Sequence, residues 1–314
     1  MRQHLMDGLY VFNKPVGISS AGFLNKIKKQ YAVSKIGHGG TLDPFASGVL
    51  VVGVGREYTG RLSETLTQST KEYEAAILLG ASSSTDDGTG EIEKSACVAS
   101  PSPAAIERAC AQLQKQTKQL PPRFSAVKIG GVPAYAHARR GESIALEPKD
   151  VVVHEYRISD VRKKSGGLTE VDAILIVSSG FYVRSFARDL GELLGVGGYV
   201  DTLTRTRVGN FSLEQALTFE DISGGVEACV RWEGRVQGIG FRDFVRTTAE
   251  RHHLTGWVRN LPDGSVEGVV QGTMAQLDSF IKNVGVDHAY ARIEKTFISF
   301  QKPARNLTSF SIEA

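Results

Sequence analysis

The sequence predicts an α+β chain in two parts: a mixed sheet with helices over residues 1–222 and a compact βαββαβ unit over 226–301, with 302–314 left as a tail. Three observations carry this. Runs of strand type alternate with segments of helical spacing and no fixed period recurs, which excludes repeat arrays and coiled coils. Ser223-Gly224-Gly225 interrupts the chain as a linker would. The 314 residues are enough for two domains with cores of their own.

In chain order, GLYVFN (8–13) reads as a strand. AGFLNKIKKQYA follows Ser19 and Ser20, either of which can cap a helix, and sets Phe23, Leu24, Ile27 and Tyr31 on one face. VLVVGVG (49–55) is a short apolar run and hence a buried strand; KEYEAAILLG (71–80) is another. SSSTDDGTGE is a loop by composition. SPAAIERACAQLQKQ opens on Ser-Pro and keeps helical spacing until PPRF breaks it. In TEVDAILIVSS (169–179), Val171, Ala173, Leu175 and Val177 line one face of a half-buried strand. FYVRSFARDLGELLG then turns helical. Past the glycines, VEACVRW alternates and EGRVQGIGFRDF is a glycine-rich turn into the helix FRDFVRTTAERHH. LTGWVRN and VEGVVQG make a hairpin around PDGS, TMAQLDSFIKN is a helix, and ARIEKTFISF is a strand. That order predicts a split, ferredoxin-like sandwich of one sheet and two helices.

A hydrophobic content of 41% with 23% charged residues is that of a soluble globular chain. No apolar run reaches membrane-spanning length and MRQHLMDG lacks the plan of a signal peptide, so a cytoplasmic protein without membrane contact is expected. Cys97, Cys110 and Cys229 form no CxxC pair and read as reduced packing residues, with no metal site. A net charge of +3 does not by itself establish a nucleic-acid partner. The local clusters Lys26, Lys28, Lys29 and Lys35, then Arg139 and Arg140, then Arg162, Lys163 and Lys164 at a hairpin tip, are either solvated faces or contacts for a phosphate backbone.

GHGGTLDPFASGV (37–49) sets one carboxylate, Asp43, among glycines and apolar residues. An Asp-Pro turn needs no more than local backbone bonding. A nucleophilic carboxylate needs a cation within about 4–6 Å to stay ionised when buried. Arg184, where a strand passes into a helix, is the candidate.

KPVGISS (14–20), GHGGTLDPFASGVL (37–50), KEYEAAILLG (71–80), PPRFSAVKIGGVPAYAHARRGE (121–142) and GFYVRSFARDLGELLG (180–195) stand in the order found in TruB-type tRNA pseudouridine-55 synthases, and the chain resembles that family over roughly 8–220. The resemblance implies a pseudouridine synthase core acting on the T-arm of tRNA. Asp43 matches the nucleophilic aspartate, Tyr73 the tyrosine against the flipped base, and Arg184 the arginine paired with the aspartate. His38 matches the histidine beside the opened stem, an imidazole bonded within its glycine loop being the alternative, and Lys14 a lysine that mainly holds the loop. Arg139 and Arg140 would meet phosphates, no cofactor or metal is implied, and a monomer is expected. Gly39 stands where the family usually has threonine or serine, Asn13 where an acid is common, and REYTG (56–60) replaces a Glu-Ala-Thr-Lys pattern.

Residues 226–301 lack resemblance to the PUA-type domain common in that family. They resemble an acylphosphatase through EGRVQGIGFR, GWVRN and LPDGSVEG. A glycine turn before a helix offers backbone N–H groups to an anion, here through Gly238 and Gly240. By resemblance, Arg242 binds an acyl phosphate and Asn260 orients the attacking water. His252 and His253, adjacent on one helix, read as surface or capping residues. Three readings stay open: a synthase with an active acylphosphatase, a synthase with a non-catalytic binding module, and a tRNA-folding chaperone.

Overall fold

A computed structural model describes residues 4–66, 68–95, 100–142 and 145–314. The predicted elements recur in order, with β2, α2, α4, β5, β7 and α6 added to them: β1 (Gly8–Lys14), α1 (Ser20–Tyr31), β2 (Ile36–Gly39), β3 (Ser47–Val54), α2 (Arg56–Leu66), β4 (Lys71–Leu79), α3 (Pro103–Gln114), α4 (Ala134–Arg139), β5 (Val153–Lys163), β6 (Thr169–Val177), α5 (Val183–Leu193), β7 (Gly198–Val208) and α6 (Phe219–Gly224). Then come β8 (Val226–Arg235), α7 (Phe241–Arg251), β9 (Thr255–Asn260), β10 (Val266–Gly272), α8 (Met274–Val286), β11 (Arg292–Gln301) and β12 (Phe310–Ile312). None of the described helices is long and apolar enough to cross a membrane.

Local chemistry explains most boundaries. Ser19 accepts from Gly22 N and starts α1, which buries the four apolar residues on its predicted face. Ser102 caps α3 with Pro103 in its first turn. Thr273 and Gln276 close a reciprocal capping box on α8. In β6 the alternation holds: Val171, Ala173, Leu175 and Val177 are all buried.

One mixed sheet runs through the molecule in the order β5-β6-β4-β7-β3-β1-β11-β8-β10-β9-β12. The two predicted parts meet inside it, where β1 pairs parallel with β11 through Leu9↔Ser299 and Tyr10↔Phe300. The second part is the predicted βαββαβ unit with one strand more.

Several expectations need correction. Ser223 and Gly224 are no linker; they end α6, which Thr218 and Asp221 cap, and Gly225 alone separates it from β8. Residues 302–314 are no tail: β12 pairs parallel with β9 and buries Phe310, covering an edge that would otherwise stay unpaired. REYTG begins the helix α2. SSSTDDGTGE is less open than a loop, since Ala81–Ser83 pairs with Ile92–Lys94. His252 and His253 do not share a helix, because α7 stops at Arg251 and His253 takes a left-handed φ of 54°. Among the described residues Cys110 and Cys229 are free thiols that burial pushes up to about 12, and Cys97 lies outside the described residues.

Candidate active site

The loop carrying Asp43 leaves β2 and enters β3, the strand between β1 and β7. Ser20, at the start of α1, fastens it twice: its Oγ accepts from Leu42 N at 2.9 Å and donates to Leu42 O at 3.0 Å. Gly17 N donates to Pro44 O. Gly48, with φ of 107°, lets β3 approach β7, since a Cβ there would lie 2.2 Å from the Arg205 carbonyl oxygen. The carboxylate is therefore held by backbone rather than by its own turn chemistry.

Arg184 stands in the first turn of α5 and is 3% exposed. Its Nη2 donates to Asp43 Oδ1 at 3.1 Å, and its Nε lies 2.9 Å from Oδ2, an ionic contact without hydrogen-bond alignment. The same guanidinium donates to the carbonyls of Thr85 and Phe124 and stands 3.4 Å from Asp87 Oδ2. Burial raises Asp43 above the ordinary carboxylate value; Arg184 opposes that, Asp87 adds to it, and burial wins. The expected cation is present without fully offsetting desolvation.

Asp43, Arg184 and Tyr73 line one cavity of about 280 Å³. Tyr73 is buried on β4, directly across from Arg205 on β7. The other sequence candidates lie outside this lining. Lys14 is fully buried, and its Nζ donates to Pro15 O and Ile18 O at 2.8 Å each, tying the chain before α1. Burial pushes it down to about 8, with Asp43 pulling the other way. His38 sits half-buried on β2; its Nδ1 is enclosed without a hydrogen-bond partner among the described residues, and burial followed by Arg205 lowers its pKa. Arg139 lies 5.6 Å from the Tyr135 ring, and Arg140 is held by Glu142. Arg139 ends α4 and Arg140 caps it, and Ala134 N→Val127 O and Tyr135 N→Ser125 O attach this helix to the cavity rim.

Three lining or supporting groups escaped sequence reasoning. Asp87 hides in a turn-forming composition. Lys71 and Arg205 sit on strands where a cation normally marks a solvent face, yet they are 7% and 1% exposed. Only their spacing, Lys71 two residues before Tyr73, could have placed them on an inward face.

In the second part, Gly238 and Gly240 take φ of 74° and 76°, and Gly240 precedes the first turn of α7. Among the described residues nothing would touch a Cβ at either, so the turn faces open space. Gln237 Nε2 donates to Leu261 O and Ser265 O, fastening this turn to the hairpin after Asn260. Arg242 Nη1 donates to Glu313 O at 3.4 Å, and Asn260 Oδ1 is buried without a partner among the described residues.

The chain matches the TruB family pseudouridylate synthase N-terminal domain over residues 28–183. It matches the tRNA pseudouridylate synthase B C-terminal domain over 184–238 and acylphosphatase over 228–312. It is 41% identical over 222 residues to tRNA pseudouridine synthase B of Thermobifida fusca, covering 70% of this chain and 75% of that protein. With the protein of the same name from Mycobacteroides abscessus it is 39% identical over 273 residues, covering 87% and 89%. Among solved structures, a Cbf5-Nop10-Gar1 complex aligns with a TM-score of 0.51 and 28% identity, over 70% of this chain and 54% of that one. With Asp43, Arg184 and Tyr73 around one cavity and these relatives beside them, the chain belongs to the TruB family of pseudouridylate synthases and carries an acylphosphatase domain.

Proposed function

We propose that this protein converts uridine 55 in the T-arm of tRNA to pseudouridine with Asp43 as nucleophile, and that its acylphosphatase domain hydrolyses acyl phosphates. The approach of Arg184 to both Asp43 oxygens, at the wall of the cavity that holds Tyr73, carries the first reading. A uracil stacked in RNA is out of reach, so the base must be everted, and Tyr73 offers the aromatic face that offsets part of the unstacking. An Asp43 oxygen then bonds to C1′ while the C1′–N1 bond breaks. The base rotates, C5 bonds to C1′, and the aspartate leaves. The C5 proton is lost, with Tyr73 serving that step, and N1 gains one.

Lys14 holds the loop, His38 stands beside the opened stem, and Arg139 and Arg140 meet phosphates at the rim. The protein works as a cytoplasmic monomer without a cofactor. In the second domain the glycine turn at Gly238 and Gly240 cradles the phosphoryl group, Arg242 pairs with it, and Asn260 Oδ1, unpartnered among the described residues, receives the attacking water.

Incubation with unmodified tRNA followed by mass-spectrometric mapping should find pseudouridine at position 55. Asp43→Asn should bind the tRNA without releasing hydrogen from uracil C5; unchanged release would exclude the nucleophile. Benzoyl phosphate turnover, lost in Arg242→Ala and Asn260→Ala, tests the second activity, and its absence in the wild type would make that domain a binding module.

A further inference from the structure

Besides Arg184, which Asp43 and Asp87 neutralise, the cavity holds two more buried cations. Lys71 Nζ donates to Ser179 Oγ at 2.9 Å. Arg205 Nε donates to Val49 O and its Nη2 to Gly40 O. Among the described residues neither stands within ion-pair distance of a carboxylate. Both converge on Gly40, three residues before Asp43: a Cβ there would lie 3.5 Å from Arg205 Nη1 and 3.6 Å from Lys71 Cε. A buried charge without a counter-ion is destabilising, so this pair calls for an anion that arrives with the substrate.

We propose that Lys71, with Arg205 beside it, carries the negative charge that develops on the uracil once its bond to the sugar breaks. This rests on the synthase reading above. When the Asp43 oxygen bonds to C1′, the electron pair of the C1′–N1 bond passes to the base, whose charge spreads over N1, O2 and O4. On reattachment the base supplies the pair for the C5–C1′ bond, and the pair of the ester bond returns to Asp43. C5 then loses its proton and N1 gains one, so charge balances and the cations form no covalent bond. A rotating anion keeps no single hydrogen bond throughout, whereas Coulomb attraction from two fixed charges follows it at every angle. Depth favours the base over a phosphate: Arg205 is the direct cross-strand partner of Tyr73, and Lys71 lies on the same face of β4. A phosphodiester stays at the rim.

The test uses the full chain and tRNA. Lys71→Met should lower the single-turnover rate about 100-fold or more while the Kd for tRNA stays within about twofold. Lys71→Arg, which keeps the charge, should retain most of the rate. A second readout separates charge from packing. The groups facing Lys71 are Arg205 on β7, Asp43, and Arg184 and Tyr182 at α5, with Tyr73 on its own strand. Burial and Arg205 hold Lys71 down at about 8, so the wild-type rate should fall as pH rises through that value, and Lys71→Arg should lose this limb. Lys14 titrates in the same range, so a limb that persists in Lys71→Arg overturns the proposal. So does a normal rate in folded Lys71→Met, or a rate loss matched by weaker tRNA binding, which would mark a phosphate contact. A wild type that forms no pseudouridine refutes the synthase reading itself, whereas an active wild type with an unaffected Lys71→Met refutes this inference alone.

Discussion

Asp43 is a residue on which two opposed effects act, and burial prevails. In the reaction proposed above the reactive form is the carboxylate, so pseudouridine formation should fall as pH drops through a value above that of a free aspartate, and pH-rate profiles will locate this limb. Asp87 acts on the same limb from behind. Its Oδ1 accepts from Thr89 N at 3.0 Å and from Thr85 Oγ1 at 2.8 Å, while Oδ2 faces Arg184. Asp87→Asn removes a negative charge that raises Asp43, so the acid limb should move to lower pH, and the looser Arg184 should slow the reaction at pH 7 by about tenfold or more. A limb that moves upward would contradict this electrostatic account. Asp43 was legible because a charge in glycine-rich, apolar company is unusual, and Arg184 because a buried carboxylate needs a cation and this one stands where a strand passes into a helix. Asp87 was not, because half of its carboxylate does what any aspartate in SSSTDDGTGE would do.

The β2–α2 unit explains one departure from the family pattern. At Gly39, a Cβ would lie 2.0 Å from Leu66 Cδ1, so the absent side chain is what lets α2 pack over the strand leading to Asp43. Gly39→Thr should cost about 1–2 kcal/mol in denaturant unfolding, and adding Leu66→Ala should recover part of it because the obstructing atom is the end of a movable side chain. Gly48 differs: its φ is 107° and the obstacle is backbone, so Gly48→Ala should cost more, about 3 kcal/mol, and a reversed order would refute the argument. Helix α2 itself was not legible. REYTGRLSETL has a mid-helix glycine and no capping signal, and what holds it is tertiary, with Leu62 and Leu66 packed on β3 and Tyr58 reaching β11. Helix α1 was legible because cap and apolar spacing agree without help from elsewhere.

Across the whole molecule, the shared sheet makes the two parts one structural unit. Tyr10 stacks on Phe300 with centroids 4.6 Å apart, and Gly8 leaves room for that ring. Where β1 stops pairing with β11, Tyr58 takes over: its hydroxyl donates to Thr296 O at 3.2 Å and accepts from Ile298 N at 3.1 Å. Composition could not reveal this seam, because Ser-Gly-Gly looks alike at the end of a helix and in a free tether, and a two-residue parallel pairing leaves no pattern in the sequence. Calorimetry of the full chain should therefore show one cooperative transition. Tyr58→Phe leaves the Ile298 N–H without its partner at a cost of about 1–2 kcal/mol, and should broaden or split that transition by weakening the contact rather than either core. A chain ending at Gly225 would expose the β1 edge and the Tyr10 face, so it should melt lower and aggregate. Two independent transitions in the full chain, with the first unchanged on truncation, would show that the parts merely touch.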